Sequence, residues 1–203
     1  MPTGAVITAD IVNSTLLTRE QEKKLLSQLT VVLQEYKYEF YRGDSFQVYL
    51  KNYQLALLVV LLSRATARAL SYSFDVRASI GIGQVEAPVR SLKTATGEAF
   101  ILSGRAFDEM DMDERLKIQS ADEQANIALR LIASYCDHLF RHMTPKQAGV
   151  LNELLKGKTQ IEAAKKLHIT QATLNQHAQA AGWNEIEKLL KEYQQTILKF
   201  NIA

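Results

Sequence analysis

The stretch DVRASIGIGQVEA, residues 75–87, decides the fold of this chain. Its apolar residues alternate with other residues, so they share one side of an extended backbone, as in a strand at the centre of a sheet. These residues are Val76, Ala78, Ile80 and Ile82. Glycine inside a strand often occurs where another backbone approaches closely. Gly81 and Gly83 therefore predict a close contact near the end of this strand.

A strand and an amphipathic helix are predicted at the start of the chain. The run GAVITADI, residues 4–11, is apolar and partly β-branched, which predicts a buried strand. Leucines and valines at helical spacing follow over residues 18–37. Thr18 is the expected N-cap of this helix, because Gln21 three residues later completes the pattern of a capping box.

A hairpin and an apolar helix come next. In YEFYRGDSFQVYLK, residues 38–51, residues that favour strands flank Gly43 and Asp44, which predicts a tight turn between two strands. The longest apolar run, LALLVVLL at 55–62, is far shorter than the roughly 18 residues that a membrane span needs. We therefore expect a buried helix from about residue 53 to 70 and no membrane partner.

The chain beyond residue 87 completes a first domain. The segment EAFILSGRAFDEM, residues 98–110, predicts a short helix, and RLKIQS, residues 115–120, predicts a last short strand. The order of elements is then β-α-β-β-α-β with additions. This order predicts an α+β fold, the ferredoxin-like or split βαβ sandwich, with an antiparallel sheet and helices on one face.

The remainder of the chain is predicted to be helical. One long helix is expected over residues 121–143, with apolar positions at Ile127, Leu131, Ile132, Tyr135 and Leu139. A new helix is expected to start there, with Thr144 as N-cap and Pro145 at its first position. We therefore divide the chain into an α+β domain, residues 1–120, a connecting helix, and an all-α domain, residues 144–203.

Composition and charge indicate a soluble cytoplasmic protein. The 203 residues are 47% hydrophobic and 23% charged, which is ordinary for a globular protein. The single cysteine, Cys136, cannot form an internal disulfide, which favours a reducing compartment. The net charge is only +2, but residues 141–203 hold nine basic against five acidic side chains. The C-terminal part is therefore the basic part of the chain.

The C-terminal domain has the layout of a helix-turn-helix. A helix over residues 144–155 is followed by TQIEAAKKL, capped at Thr159, and by QATLNQHAQAA, capped at Thr170. Ala163 is small where two helices must cross, and Leu174 is expected to face the core. The pattern resembles the helix-turn-helix of LuxR-type regulators and of the promoter-reading region of sigma factors.

This resemblance implies that the last of these helices reads DNA in the major groove. Its outward residues are expected to be Gln171, Ala172, Thr173, Asn175, Gln176 and Gln179. Asn and Gln can pair with adenine, and Ala or Thr can contact the thymine methyl group. Phosphate contacts would come from Lys146, Lys156, Lys158, Lys165 and Lys166. The reading helix itself has no Lys or Arg, so a use of these helices in protein docking or dimerisation remains the alternative.

Two aspartates stand where the predicted sheet would bring them together. Asp10 ends the first strand, and Asp44 lies in the hairpin turn of its expected neighbour. Two carboxylates side by side are hard oxygen ligands that suit Mg²⁺ or Mn²⁺, and such ions hold phosphates. Each aspartate also has a purely structural interpretation, because Asp favours turns without any chemistry.

The same residues resemble motifs of class III adenylate and guanylate cyclases. ADIVNST carries Asp10, Ile11 and Thr15 in the spacing of the family's strand-one metal motif, and RGDSFQV resembles its hairpin motif with the second metal aspartate, Asp44. VRASIGIG is similar to a strand of the family that begins with arginine, and GEAFILSGRA is similar to the segment with its transition-state residues. The resemblance implies that Asp10 and Asp44 bind the metal, that Arg105 and Thr15 bind phosphate, and that two chains share the site.

Three positions depart from the cyclase pattern. Ile101 stands where the family has its transition-state asparagine, and Phe40 and Thr94 stand where it has the charged pair that selects the base. The cyclase reaction is therefore not expected. A degenerate cyclase-like domain with a helix-turn-helix tail resembles the SatD-like family of bacterial proteins, which implies the architecture more than an activity.

We therefore predict a cytoplasmic bacterial regulatory protein, a homodimer that binds DNA through its C-terminal helices and uses the cyclase-like domain for dimerisation and for binding a metal and a nucleotide or other phosphorylated ligand. One alternative is a metal-dependent enzyme acting on a nucleotide or a phosphate ester. The other is a chain whose helix-turn-helix serves protein interaction alone.

Overall fold

A computed structural model describes residues 1–41 and 43–200. Arg42, in the predicted hairpin, and residues 201–203, at the end of the predicted C-terminal domain, lie outside the described residues. The strands are β1 Thr3–Val12, β2 Lys37–Tyr41, β3 Ser45–Leu50, β4 Asp75–Gln84 and β5 Leu116–Ser120. The helices are α1 Arg19–Leu33, α2 Ala56–Leu70, α3 Glu98–Asp108, α4 Glu123–Arg141, α5 Pro145–Leu155, α6 Gln160–Leu167, α7 Gln171–Ala180 and α8 Trp183–Lys199. The predicted α+β class is confirmed.

The five strands form one mixed sheet in the order β2-β3-β1-β4-β5. β1 pairs antiparallel with β3 and β4, and β2 pairs antiparallel with β3. β5 runs parallel to β4, because α3 carries the chain back across the sheet between them. The prediction of a wholly antiparallel sheet was therefore wrong at its last strand.

The two faces of the sheet are covered by different helices. The face that carries Ile7 and Ile80 forms the main core with residues of α1, α2 and α4. On the other face α3 packs so closely that a Cβ atom at Gly81 would lie 2.3 Å from the backbone oxygen of Ala99 and 2.3 Å from the backbone nitrogen of Ser103. The predicted close contact at this glycine is confirmed, whereas the prediction of helices on one face only was wrong.

Local sequence signals fix the helix starts. The side chain of Thr18 accepts a hydrogen bond from the Gln21 backbone, and the Gln21 side chain accepts one from the Thr18 backbone, which is the predicted capping box. Thr144 and Thr159 begin α5 and α6 with the same arrangement. These reciprocal bonds satisfy backbone N–H groups that the first turn of a helix leaves unpaired.

The apolar helix after the hairpin lies in the core, as the sequence predicts. Within the described ranges, residues Tyr53–Leu70 form the one segment that is long and apolar enough to cross a membrane, and 61% of it is buried. A mostly buried helix of this kind is consistent with a soluble protein.

A buried ion cluster ties α2 to β4 and α4. Arg64 is 1% exposed, and its Nε and Nη2 atoms donate to Asp75 at 3.0 and 3.1 Å. Its Nη1 atom donates to Asp137 at 2.5 Å, and Arg68 donates to Asp75 at 2.9 Å. Burial alone would lower the pKa of Arg64, but the Asp75 and Asp137 carboxylates outweigh it and raise that pKa. A buried charge is tolerated here because its hydrogen bonds are made.

The buried side of α4 differs from the apolar pattern predicted for it. The side chains that α4 buries are Ala125, Asn126, Leu129, Ile132, Ala133, Cys136 and Phe140. Of the predicted apolar positions, Ile132 is buried and Leu139 packs partly against the core. Ile127, Leu131 and Tyr135 are exposed, so only part of the apolar pattern in this helix lies in the core.

The C-terminal helices pack against the sheet domain. In α5, the Asn152 side chain donates to the Thr66 hydroxyl of α2 at 2.8 Å. In α8, the buried Tyr193 hydroxyl donates to the Tyr53 carbonyl at 2.8 Å. A separate small cluster joins α5, α6 and α7 through Val150, Leu154, Ala163, Ala164, Leu174 and Ala178. This cluster packs one side of α7 against α5 and α6 and leaves the opposite side of α7 exposed.

Candidate functional site

Asp10 lies at the end of β1, on the sheet face opposite the main core. Its Cα atom is paired with Ser45 of β3 on one side and with Arg77 of β4 on the other. The side chain is half-buried, and its Oδ1 atom is buried without a hydrogen-bond partner. Burial raises the pKa of this carboxyl, Arg77 and Arg115 oppose the rise, and the Asp44 carboxylate adds to it.

Asp44 lies beside Asp10, in the turn that leads into β3. Its backbone carbonyl accepts the Ile11 N–H at 3.0 Å, which fixes the hairpin to the end of β1. Its Oδ2 atom accepts from the Ser14 hydroxyl at 2.8 Å, and its Oδ1 atom accepts from the Ser45 hydroxyl at 3.3 Å. The structure therefore brings the two predicted carboxylates together where the last residues of β1 meet the first residues of β3.

The two predicted phosphate-binding residues lie in different surroundings. Thr15 is exposed in a single 3₁₀ turn, Ser14–Leu16, whose first residue holds Asp44. Arg105 is exposed on the outer side of α3. The arginines whose charges influence Asp10 are Arg77 and Arg115, and Arg105 is not among them. Within one chain, the charge of Arg105 therefore has little effect on the pKa of Asp10.

Arg77 is a site residue that the sequence prediction missed. Its guanidinium lies over the Phe107 ring at 5.0 Å, and its Nη2 atom donates to the Met110 carbonyl at 2.8 Å. Its Nε atom is buried without a partner. The alternation of β4 carried the signal, because Arg77 falls on the side opposite the apolar residues of that strand and therefore beside Asp10.

The donor set at this edge fits partial coordination of a hard cation. The unpaired Oδ1 atom of Asp10 and the neighbouring Asp44 carboxylate offer oxygen ligands, and Mg²⁺ usually keeps several waters in addition. Over residues 1–41 and 43–200, no cluster of three or more His, Cys, Asp or Glu side chains is arranged to hold a metal. The positive charge of Arg77 also opposes a cation, so weak binding is expected from this set.

The two positions that the cyclase resemblance aligns with its base-selecting pair, Phe40 and Thr94, have no charged group. Phe40 packs its ring against Tyr38 and Phe46, with ring centroids 5.9 and 5.4 Å apart. Thr94 ends a short 3₁₀ turn and is exposed. Ile101, at the position of the transition-state asparagine, is also exposed and apolar. The side chains at these three positions therefore offer no charged hydrogen-bonding group.

The second candidate surface is the outer side of α7. Thr170 caps the helix, and Leu174 and Ala178 hold it to the small cluster below. The exposed residues are Gln171, Ala172, Asn175, Gln176, Gln179 and Ala180. Thr173 is half-buried, and its hydroxyl is 2.9 Å from that of Thr170, so it is engaged in the cap. Most of this surface is uncharged and able to form hydrogen bonds.

The lysines near α7 differ in whether they already form an ion pair within the chain. Lys165 and Lys166 are exposed in the last turn of α6. Lys158 and Lys156 instead form ion pairs with Glu153. Burial would raise the pKa of Glu153, but the hydrogen bonds from these two lysines lower it. Part of the positive charge predicted for phosphate contacts is therefore already neutralised within the chain.

Comparison with family models found no match for this chain, and comparison with curated proteins found none either. Both candidate surfaces are therefore assigned from the geometry of this chain alone. One is a carboxylate pair with an arginine at a sheet edge, and the other is an uncharged polar helix face beside two exposed lysines.

Proposed function

We propose that the protein is a cytoplasmic bacterial regulator that binds DNA through α5, α6 and α7, used as a helix-turn-helix. The observation that carries this proposal is the outer face of α7, where Gln171, Asn175, Gln176 and Gln179 are exposed. These amides have no role in the packing of the helix, which Leu174 and Ala178 supply. Side-chain amides of this kind can pair bidentately with adenine in the major groove.

Positive charge for the DNA backbone comes mainly from the end of α6. Lys165 and Lys166 are exposed there, next to the start of α7 in the chain. Contacts to phosphates position a protein on the duplex and supply much of its affinity. Because α7 has no Lys or Arg and Lys158 is paired with Glu153, we expect few phosphate contacts and a shallow dependence of affinity on salt.

The test is binding of the full chain to labelled genomic DNA fragments at several salt concentrations. Lys165→Glu/Lys166→Glu should abolish the mobility shift, because it replaces two phosphate contacts with repulsion. Lys23→Glu/Lys24→Glu on α1 makes the same change in charge on two exposed neighbours and should leave binding intact. Asn175→Ala should weaken binding to preferred fragments by about 1–3 kcal/mol and leave non-specific binding unchanged.

Other outcomes would select between the interpretations. If the shift of genomic fragments is absent at low salt, DNA binding is wrong and the same helices serve protein interaction alone. If the α1 variant is as defective as the α6 variant, the attraction is general and not located at α7.

The sheet domain in this proposal is a degenerate member of the cyclase-homology class, within a chain of the SatD-like type. The order β2-β3-β1-β4, with antiparallel pairing throughout, supports a ferredoxin-like split βαβ core to which β5 is added. Homodimerisation of the chain would supply two reading helices, as paired DNA half-sites require.

A second candidate function is metal-assisted chemistry on a nucleotide or phosphate ester. It is favoured by the unpaired, buried Oδ1 atom of Asp10 beside Asp44. Asp10 and Asp44 would hold Mg²⁺ or Mn²⁺, and Thr15 lies near them for a phosphate group. A bound ion would polarise a phosphoryl oxygen and neutralise its charge.

This candidate is tested by titrating the protein with Mn²⁺ and by incubating it with Mn²⁺ and a panel of nucleotides. Asp10→Asn and Asp44→Asn should each abolish Mn²⁺ binding, whereas Asp108→Asn, on the exposed side of α3, should not. Binding without turnover would make the site regulatory. Absence of binding up to millimolar Mn²⁺ would remove the metal from both candidate functions.

A further inference from the structure

Three large apolar side chains lie exposed in one row on α4. Ile127, Leu131 and Tyr135 are 56, 69 and 44% exposed. Their spacing of four residues places one on each successive turn of the same side of the helix. At a rise of 1.5 Å per residue, the row is about 12 Å long. Scattered apolar residues are normal on a surface, but a continuous row on one helix indicates a contact.

The charges at the two ends of α4 are opposite. Asp122 caps the helix and Glu123 stands in its first turn, while His138 and Arg141 stand in its last turn. Glu123, His138 and Arg141 are exposed. The apolar row lies between this acidic start and this basic end of α4, and the Arg141 guanidinium also lies 3.8 Å from the exposed Asp113 carboxylate.

We infer that the apolar row is the contact between two copies of this chain, with their α4 helices packed antiparallel across a twofold axis near Leu131. Antiparallel pairing places the Glu123 end of each helix beside the Arg141 end of the other. It also places the two helix dipoles antiparallel, which is the favourable arrangement for neighbouring dipoles. A parallel pair would bring Glu123 to Glu123 and Arg141 to Arg141, which is repulsive at both ends.

The surroundings of the row suit a contact that is apolar at its centre and polar at its edge. Tyr135 and His138 stack with ring centroids 6.1 Å apart, which orders the tyrosine before any partner arrives. Beside the row lies a cleft of about 490 Å³ with a charged lining, which includes Arg130, His138 and Arg141 of α4 and Asp111, Asp113 and Glu114 of the loop before β5. Because the contact is self-complementary, it closes as a dimer and does not propagate.

This pairing is independent of the metal proposal. α4 packs on the sheet face that carries Ile80 and Ile118, whereas Asp10 and Arg77 lie on the opposite face. Dimerisation through α4 therefore leaves the carboxylate edge open and adds no partner residue to it. The two-chain arrangement implied by the cyclase resemblance would instead cover that edge.

The strength of the contact can be bounded. Three apolar side chains from each copy form a small interface compared with the roughly 1,600 Å² that standard specific complexes bury in total. We expect a dissociation constant of about 1–100 µM, which corresponds to a contact at the weak end of the range.

Sedimentation velocity of the full chain between about 1 and 200 µM tests the inference, since this range brackets the expected constant. Leu131→Glu should give a monomer throughout, because it places a charge at the centre of the contact. Val31→Glu is the matched control, since Val31 is 58% exposed on α1 and should leave the dimer unchanged. Circular dichroism checks that both variants are folded.

Charge exchange tests the direction of the helices. Glu123→Arg and Arg141→Glu should each weaken the dimer about 5–10-fold, and the double variant should recover the wild-type constant. Leu131→Cys should form a disulfide between two copies under mild oxidation, and Val31→Cys should not. Cys136 does not interfere, because it is fully buried and burial raises the pKa of its thiol to about 12.

Three results would overturn the inference. If the wild-type chain is a monomer at every concentration, the proposed dimer does not exist. If a dimer persists in Leu131→Glu, its interface lies elsewhere on the chain. A dimer lost in Leu131→Glu but not recovered by the double charge exchange excludes the antiparallel arrangement.

Discussion

Asp10 and Arg77 lie directly opposite each other on β1 and β4, on the same face of the sheet, and each has a buried atom without a hydrogen-bond partner. The unpaired atoms are Oδ1 of the carboxylate and Nε of the guanidinium. The two side chains attract each other without forming an ion pair within 4.0 Å. One unpaired acceptor and one unpaired donor therefore share this face of the sheet, and the second candidate function rests on that arrangement.

Asp10→Asn should raise the free energy of unfolding at neutral pH in the absence of metal. Burial raises the pKa of Asp10 in the folded protein above that of the unfolded chain, about 3.9. The folded state therefore binds this proton more tightly. The stability that the protonated form confers is complete below the unfolded pKa and is lost as pH rises through the folded pKa.

The measurement for this variant is urea denaturation at several pH values in EDTA. The stability gained by Asp10→Asn should grow from about pH 4 upward and then become constant. Asp108→Asn, an exposed site on α3, should show no such trend. A gain that does not change with pH would show that the effect comes from packing and not from the charge.

Arg77→Gln should strengthen Mn²⁺ binding about 3–30-fold, because it removes a positive charge that lies beside the carboxylate pair. Electron paramagnetic resonance of free Mn²⁺ measures the change directly. Arg77→Lys keeps the charge and should remain close to wild type. Arg105→Gln, on the outer side of α3, serves as the control for a general charge effect, and an equal change there would contradict the assignment.

Arg64→Met should destabilise the protein by about 3–5 kcal/mol, because it leaves the buried Asp75 and the partly buried Asp137 carboxylates without their shared partner. Asp75 and Asp137 both accept hydrogen bonds from this guanidinium. Arg141→Ala removes an exposed ion pair with Asp113 and should cost less than about 1 kcal/mol. Urea denaturation compares the two variants, and similar costs would refute a structural role for the buried cluster.

Gly81→Ala and Gly104→Ala should have opposite effects. A Cβ atom at Gly81 would lie 2.3 Å from the backbone oxygen of Ala99, so the substitution should cost about 2–3 kcal/mol or more. A Cβ atom at Gly104, inside α3, meets no atom within 4 Å. Alanine there should stabilise the protein by about 0.5–1 kcal/mol through helix propensity. Thermal denaturation of both variants tests how closely α3 packs on β4.

Many elements of this fold could be predicted because their signals are local. The alternation of Val76, Ala78, Ile80 and Ile82 identifies β4 without knowledge of its neighbours. The threonines at 18, 144 and 159 cap helices through residues three positions away. The pairing of β5 was not accessible in this way, because the direction of an edge strand depends on the path of α3 across the sheet.

The candidate site was predictable only in part. Asp10 and Asp44 stand out as carboxylates at the ends of predicted strands, and the structure brings them to one edge. Arg77 and the exposed row on α4 were missed, since a helical stripe shows a period but does not tell which of two apolar sides is covered. The carboxylate pair as a metal site and α7 as a DNA surface stay predictions.

The sequence by itself determined which segments form strands and helices and where several helices begin, because propensities, caps and turn residues act over a few positions along the chain. Tertiary structure alone decided that Arg77 lies beside Asp10 and that Arg105 and Leu131 are exposed. These are relations between segments far apart in the chain. They depend on which faces of the sheet and helices are covered, and no local pattern carries that information. Strand β1 supplies the Asp10 carboxylate, and the pairing of β1 with β3 and β4 supplies its neighbours Ser45 and Arg77.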